Sequence, residues 1–276
     1  MNAEELFRNI QRKKSFLCVG LDTDYKKIPR MLLDSEYPIF EFNKRIVDAT
    51  ASLAVAYKPN LAFYETMGAA GLMSLEMTIN HIRKEHPDLF IIADAKRGDI
   101  GNTSRMYANA YFKTLDCDAI TLSPYMGHDS ISPFLEEDEK WAILLALTSN
   151  EGSADFEQLV LENGRQLYEQ VILTSSQWGN VNNIMYVVGA TKAIELENIR
   201  KLIPEHFLLV PGVGSQGGSL HDVAEYGMND RCGLLVNASR SIIYADGTNR
   251  FEEAANEQAA ILQKQMEQSL QAKKLI

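Results

Sequence analysis

The chain has 276 residues, of which 46% are hydrophobic and 23% are charged, a composition typical of a soluble globular protein with a sizeable core. A formal net charge of -10 argues against a nucleic-acid-binding surface and against attraction to anionic membranes. The longest apolar run, Trp141 to Leu147, is too short to cross a bilayer.

Cysteine and histidine placement argues against a disulfide framework and a metal site. Cys18, Cys117 and Cys232 are odd in number, far apart and next to apolar runs, which predicts buried thiols in a reducing compartment. The five histidines show no ligand spacing. Because the charged opening at residues 4–8 is unlike a signal peptide, we expect a cytoplasmic protein with no bound metal or cofactor.

Eight short apolar runs predict buried strands, and each is followed by a helical pattern. The strands are predicted at residues 16–22, 55–57, 91 to about 96, 119–123, 141–148, 185–189, 207–210 and 233–237. Helical periodicity is clearest around residues 6–10, 39–53, 72–82, 103–115, 166–176 and from about 251 onward.

Strands that are apolar on both faces imply a parallel sheet covered by helices. Eight such units without a linker or obvious repeat predict an α/β fold, a single-domain (β/α)8 TIM barrel over residues 1–276 with N-terminal and C-terminal helices. A doubly wound open sheet is the alternative. The barrel is favoured because polar side chains follow most strands, where barrel enzymes place their sites. They are Asp22, Lys58, Asp94, Lys96, Ser123, Ser149, Gln216 and Arg240.

The third predicted strand ends in an unusual group of charges. Alternation along a strand places Asp94 and Lys96 on the same side, while Asp99 lies beyond the strand end. Lys58 ends the neighbouring strand, so an alternating Lys–Asp–Lys–Asp array can form, in which unit charges at about 4 Å interact by roughly 4 kcal/mol. A structural ion-pair cluster is the alternative to a catalytic site at this point.

A glycine-rich segment, Pro211 to Gly218, precedes a predicted helix start near Ser219. Backbone N–H groups in such a turn can converge on an anion. With Arg240 after the last strand, the segment matches the phosphate site that barrels often build after strands seven and eight. Arg240 can bind a phosphate through two N–H groups, and Gln216 can donate from its amide.

Taken together, these motifs resemble the orotidine 5'-phosphate decarboxylase family. The resemblance rests on Asp94-x-Lys96-x-x-Asp99-Ile100, Lys58 one strand earlier, Asp22, Pro211-Gly-Val-Gly-x-Gln216 and Arg240-Ser241. Residues 58–60, 121–127 and 148–150 resemble its longer, type 2 subgroup. The resemblance runs from about residue 16 to residue 244, nearly the whole chain.

The resemblance implies a role for each charge of the third strand. Lys96 would be the acid that protonates C6 of the pyrimidine after CO2 leaves, and Asp94 would lie against the substrate carboxylate. Lys58 would hold Asp94 and a ribose hydroxyl. Asp99 would reach, together with Ile100 and Thr103, into the active site of the other subunit, which implies a homodimer with shared active sites.

The resemblance also implies the groups that bind the substrate. Asp22 would contact the ribose, and Ser149 the edge of the pyrimidine. The 5'-phosphate would be held by Gln216, Arg240 and the backbone amides near Gly217. The implied partner is thus a small nucleotide, and neither a nucleic acid nor a membrane.

The implied reaction converts orotidine 5'-phosphate to UMP and CO2 in de novo pyrimidine biosynthesis. Loss of CO2 from C6 leaves a vinyl carbanion with little delocalisation, so the barrier is very high. Enzymes lower barriers by roughly 8–23 kcal/mol, and this chemistry needs the upper end of that range. Without a metal or electron-sink motif, the protein would act electrostatically, with the fixed ammonium of Lys96 stabilising the charge at C6.

Three alternatives stay open, because the Asp-x-Lys-x-x-Asp motif is shared by a superfamily of sugar-phosphate decarboxylases and aldolases. A magnesium-dependent member generally needs an additional acid to hold the metal, where this chain has Lys58. A Schiff-base aldolase would use Lys58 or Lys96. A catalytically silent nucleotide-binding module would not require Lys58, Asp94, Lys96 and Asp99 together.

Overall fold

A computed structural model describes residues 1–213 and 217–276 of the chain. At its centre, eight parallel strands close into a barrel in sequence order, and the last strand is hydrogen-bonded to the first. The strands are β1 (Leu17–Leu21), β2 (Ala56–Pro59), β3 (Phe90–Arg97), β4 (Ala119–Leu122), β5 (Trp141–Leu147), β6 (Ile184–Val188), β7 (Leu208–Pro211) and β8 (Leu234–Ala238). The predicted TIM barrel is confirmed, and the open doubly wound sheet is wrong because this sheet has no free edge.

Helices surround the barrel and connect its strands. They are α1 (Ala3–Lys13), α2 (Pro38–Thr50), α3 (Leu61–Glu65), α4 (Gly68–Glu85), α5 (Gly101–Ala108), α6 (His128–Leu135), α7 (Leu167–Ser175), α8 (Ala193–Leu202), α9 (Leu220–Gly227), α10 (Arg240–Ile243) and α11 (Phe251–Ala272). The helix predicted at 103–115 is α5 followed by a π-helical segment, Asn109–Thr114. No helix in the described part of the chain is long and apolar enough to cross a membrane.

The N-terminal helix shows how local sequence sets an element and attaches it to the barrel. Asn2 Oδ1 accepts a hydrogen bond from the Glu5 backbone N–H at 3.0 Å, and a Glu5 carboxylate oxygen accepts from the Asn2 N–H at 2.8 Å. This reciprocal capping box fixes the start of α1. Leu6 and Ile10, one helical turn apart, are fully buried. The apolar face of α1 therefore packs into the core, as its periodicity predicts.

Aromatic rings close the N-terminal end of the barrel. Phe90 and Trp141 begin β3 and β5, and Phe207 directly precedes β7. The Trp141 ring meets the other two edge to face, with centroids 6.1 and 6.3 Å apart, a favourable geometry for buried aromatic pairs. Trp141 Nε1 donates to the carbonyl of Met1 at 2.8 Å. Because this end is sealed, a site belongs at the opposite end, where the strands finish.

The three cysteines are free and buried. Burial raises the pKa of the thiols of Cys18, Cys117 and Cys232 to about 12. A thiol with so high a pKa stays protonated and unreactive at neutral pH. The sequence prediction that all three serve as small buried apolar side chains is confirmed.

His206, between α8 and β7, is a buried histidine without a polar partner for its ring. It is 9% exposed, its ring centroid lies 5.9 Å from that of Tyr186, and neither ring nitrogen has a hydrogen-bond partner among the described residues. Burial, and then the charge of Arg200, lower the pKa of His206 to about 4. The unfolded chain therefore takes up a proton near pH 6.5 that the native chain does not bind.

The depressed pKa of His206 predicts a loss of stability in mild acid. The contribution of neutral His206 to the unfolding free energy is complete above pH 6.5. It is lost as the pH falls toward 4, because the unfolded chain then binds a proton more tightly than the native chain does. We expect this residue to account for about 2 kcal/mol of the drop in unfolding free energy between pH 7 and pH 5. Urea unfolding of wild type, His206→Phe and the exposed control His221→Gln would measure it. Equal pH dependence in all three would contradict the prediction.

Candidate active site

Lys58 and Asp94 form a buried ion pair at the C-terminal ends of β2 and β3. Lys58 Nζ lies 2.6 Å from Asp94 Oδ2, and the two residues are 4% and 9% exposed. Burial opposes both charges, but the carboxylates of Asp94 and Asp22 raise the pKa of Lys58. The ammonium groups of Lys58 and Lys96 likewise hold the pKa of Asp94 well below its usual range. Both side chains are therefore charged at neutral pH.

Lys96 contacts the second oxygen of the same carboxylate. Its Nζ lies 2.5 Å from Asp94 Oδ1, and its side chain is 52% exposed, so the two residues lie on one side of the strand, as predicted. The backbone of Lys96 has a φ of 47°, in the left-handed region that non-glycine residues rarely adopt. The β3–β4 register shifts between Ala93 and Arg97. A bulge thus sets the direction of the Lys96 side chain.

Thr121 on β4 is a site residue that sequence reasoning missed. Its hydroxyl donates to Asp94 Oδ1 at 3.0 Å and accepts from the backbone N–H of Lys96 at 2.9 Å. One buried hydroxyl therefore holds both the carboxylate of Asp94 and the backbone N–H of Lys96. A threonine in a buried strand is ordinarily explained by β propensity. Thr121 also lies in the segment 121–127 that resembles the type 2 subgroup, but that resemblance gave it no role.

Asp22 follows β1 and lies close enough for its charge to raise the pKa of Lys58. Its Oδ1 is buried and has no hydrogen-bond partner among the described residues. An unmatched buried acceptor is costly, so this oxygen is suited to receive a ligand hydroxyl. Gly20 lets β1 approach β8 here, since a Cβ at this position would lie 2.7 Å from the Cβ of Ser239.

The structure does not bring Asp99, Ile100 and Thr103 to the charges of their own chain. Asp99 Oδ1 accepts from the Ile100 N–H at 2.8 Å, and Asp99 forms no ion pair within residues 1–213 and 217–276. Ile100 is 55% exposed, and Thr103 is exposed on α5. The four-charge array predicted from neighbouring strands therefore does not form within one chain, because Asp99 lies on the segment that leaves the barrel before α5.

The predicted phosphate site lies where β7 and β8 end side by side. Gly217 has a φ of 84°, and Gly218 forms a parallel bridge with Val213. Helix α9 follows, with the Ser219 hydroxyl accepting from the Asp222 N–H at 3.2 Å, so the predicted helix start is confirmed. Arg240 begins α10 after β8 and is exposed. Gln216 lies outside the described residues.

Ser149 lies in the turn that follows β5. Gly189 at the end of β6 allows its close approach, because a Cβ on Gly189 would lie 2.7 Å from the Cβ of Ser149. Glu157 anchors the same turn, since its carboxylate accepts from the N–H and the hydroxyl of Thr148 at 2.7 and 2.9 Å. The strand end that carries Ser149 is thus fixed by its neighbours.

The charge arrangement suits an anionic substrate better than a metal ion. Both oxygens of Asp94 already accept from ammonium groups, whereas Mg²⁺ requires oxygen ligands that are free to coordinate it. The half-exposed Lys96 leaves one positive charge accessible at the barrel end. The site can therefore stabilise negative charge that develops on a bound molecule, and Lys96 can supply a proton.

Comparisons with known proteins show which family the chain belongs to. A sequence model described as the Orotidine 5'-phosphate decarboxylase / HUMPS family matches residues 15–255. The chain is 62% identical over 276 residues to the orotidine 5'-phosphate decarboxylase of Porphyromonas gingivalis, covering 100% of both chains. It is 60% identical over 267 residues to that of Phocaeicola vulgatus, covering 97% of this chain and 98% of the relative.

Solved structures show the same architecture. The structure of Leishmania donovani OMP decarboxylase superposes with a TM-score of 0.79 at 36% identity, covering 96% of this chain and 100% of that one. The superposition thus extends over nearly the whole length of both chains. The chain belongs to the orotidine 5'-phosphate decarboxylase / HUMPS family.

Proposed function

We propose that this chain decarboxylates orotidine 5'-phosphate to UMP and CO2, in de novo pyrimidine nucleotide biosynthesis, without a metal or cofactor. The observation that carries the proposal is the single carboxylate of Asp94 with an ammonium group on each oxygen, Lys58 at 2.6 Å and Lys96 at 2.5 Å. The decarboxylase relatives at about 60% identity support the substrate.

Lys96 is the proposed acid. The bond from C6 to the carboxylate carbon breaks, and its electron pair stays on C6 as CO2 leaves. The ammonium of Lys96 stabilises this charge and need not reorganise, because Asp94 holds the ammonium and Thr121 holds the backbone N–H of the same residue. A proton then moves from Nζ to C6, which yields UMP and a neutral amine. Water returns the proton to Lys96 for the next turnover.

Asp94 is proposed to lie beside the substrate carboxylate, so that departure of CO2 relieves a repulsion between two anions. Lys58 keeps Asp94 ionised during this step, since its charge holds the pKa of that carboxyl low. We propose that Asp22 contacts the ribose through its unpartnered Oδ1, and that Ser149 contacts the pyrimidine edge. Contacts of this kind position C6 against the acid.

The 5'-phosphate is proposed to bind between the ends of β7 and β8. Gly217, the N-terminus of α9 and Arg240 supply backbone N–H groups, a helix dipole and a guanidinium, and Gln216 is proposed to add an amide donor. Binding energy from this remote group can be used to desolvate and orient the reacting ring. The substrate is therefore proposed to be held at one end and to react at the other.

A homodimer with shared sites completes the proposal. Asp99, Ile100 and Thr103 lie on a segment that leaves its own barrel, and large apolar side chains near it are exposed. These include Ile100 at 55%, Met106 at 51%, Tyr125 at 87% and Met126 at 47%. Exposed apolar patches of this kind mark protein interfaces. We propose that a second copy covers this patch and receives Asp99, Ile100 and Thr103 in its active site, and that the enzyme acts in the cytoplasm as one domain.

A direct test follows the absorbance of orotidine 5'-phosphate with purified protein, with and without EDTA. We expect the same rate of decay in both, because lysines occupy the position where a metal would need a free acid. A rate that disappears with EDTA would favour the magnesium-dependent sugar-phosphate enzyme. Absence of decay in both samples would contradict the proposed function, and covalent trapping by borohydride with a carbonyl substrate would instead reveal a Schiff-base aldolase.

Thr121→Val is expected to lower kcat while leaving the fold intact. Valine has nearly the same shape but cannot donate to Asp94 or accept from the strained Lys96 backbone. We expect kcat to fall by up to about 100-fold, because without this hydroxyl the catalytic groups shift from their productive geometry, with little change in KM. Thr121→Ser should restore most of kcat. Steady-state kinetics of the two variants measures kcat and KM. An unchanged kcat in Thr121→Val would contradict the proposed role of Thr121.

A further inference from the structure

A second cluster of chemically active side chains lies away from the site described above. His81 Nε2 and His86 Nε2 lie 2.7 and 2.9 Å from the same oxygen of Asp48, Oδ1. All three ligand atoms lie within 4.8 Å of one another. Asp48 is on α2, His81 is in the last turns of α4, and His86 directly follows that helix. Their spacing along the chain carries no sign of the cluster, because the fold brings the two helices together.

We propose that Asp48, His81 and His86 bind a divalent transition-metal ion of the Zn²⁺ type. Two imidazoles and one carboxylate are the ligand set of many three-residue zinc sites, in which water takes the fourth position. In a tetrahedral site with bonds of about 2.0–2.1 Å, ligand atoms lie about 3.3 Å apart. The observed nitrogen–oxygen separations of 2.7 and 2.9 Å need to widen by only about half an ångström.

The surroundings of the cluster leave room for an ion. The side chains of Asp48, His81 and His86 are 43%, 11% and 24% exposed, so solvent and a fourth ligand reach them. Lys44 and Lys84 line the same hollow together with Glu85. Lys84 is paired with Glu85 at 2.9 Å, which offsets its charge. The ligand set favours a borderline ion over Mg²⁺ or Ca²⁺, which prefer sites made of oxygen alone.

The cluster lies at the opposite end of the barrel from the candidate active site. Helices α2 and α4 run antiparallel to the strands, so their C-terminal ends lie beside the N-terminal end of the barrel. That is the end closed by Trp141 and its aromatic neighbours, opposite Lys96. A bound ion would join α2 to the end of α4 and stabilise the native state, because it binds the folded chain in preference to the unfolded one. The proposal does not depend on the proposed function.

The experiment titrates ZnCl2 into the full-length protein after EDTA treatment and transfer to chelator-free buffer. Calorimetry should show one ion per chain, and the melting temperature should rise with ZnCl2. We expect His81→Gln with His86→Gln to weaken binding by more than about 100-fold, beyond the usual cost of losing a single supporting contact, and to abolish the rise in melting temperature. Asp48→Asn provides a second variant of nearly unchanged shape.

His221 supplies the matched control. It is exposed, and in the described part of the chain it is paired only with the adjacent Asp222 at 3.4 Å. His221→Gln should bind ZnCl2 as wild type does. CoCl2 in place of ZnCl2 should produce visible absorption bands of a four-coordinate ion in wild type and in the control, and none in the double variant. Failure of wild type to bind, or equal affinity in wild type, the double variant and Asp48→Asn, would overturn the proposal.

Discussion

Lys96→Ala is expected to remove nearly all decarboxylation, lowering kcat by about 10⁴-fold or more, because one side chain supplies both the fixed positive charge and the proton. The structure supports a specific effect on catalysis. Lys96 is half exposed, and Asp94 keeps its second partner, Lys58, when Lys96 is truncated. No unpaired buried charge results, so the variant should fold and bind UMP through the phosphate end of the site.

Two further variants separate the roles of Lys96. Lys96→Arg keeps a positive charge beside Asp94 but does not release a proton, since the guanidinium pKa is above about 12. We expect it to be nearly as inactive as Lys96→Ala if proton transfer limits the reaction. Lys264→Ala on α11 removes an exposed lysine and should leave kcat unchanged. Decay of orotidine 5'-phosphate absorbance measures all three, and Lys96→Ala with kcat within tenfold of wild type would refute its assignment as the acid.

The barrel could be predicted from sequence because its physical requirements are visible along the chain. Strands buried on both faces appear as continuous apolar runs, such as β5, and polar residues follow them where the strands end. The contacts of Lys58, Asp94 and Lys96 also followed from alternation and from the pairing of consecutive strands. These features depend on local sequence and on one topological rule, that neighbouring units lie side by side.

The features that could not be predicted from the sequence depend on strand register and on contacts between residues distant in the chain. The left-handed φ of Lys96 lies within the register shift between β3 and β4, and no residue pattern predicts either feature. The role of Thr121 follows from the same bulge. The meeting of Asp48 with His81 and His86 depends on how two outer helices pack. Lysine at a positive φ is also contrary to its local preference, as is typical of residues held at functional sites.

Co-expression of Lys96→Ala and Asp99→Ala chains is expected to recover activity that neither variant has alone. In a heterodimer with shared sites, one active site receives both defects and the other receives neither. Heterodimers isolated with two different affinity tags should therefore show about half the wild-type activity per dimer. The position of Asp99 motivates this result, because among residues 1–213 and 217–276 its carboxylate bonds only the adjacent Ile100 N–H and forms no ion pair.

The pairing of Lys96→Ala with Asp94→Ala is the matched control for this prediction. Asp94 and Lys96 contact each other within one chain at 2.5 Å, so each site of that heterodimer carries one defect, and no activity should return. If Asp99 acted in the active site of its own chain, the Lys96→Ala and Asp99→Ala heterodimer would be as inactive as this control. Recovery in one pairing and not the other therefore assigns Asp99 to the neighbouring site, since the two heterodimers differ only in which aspartate is absent.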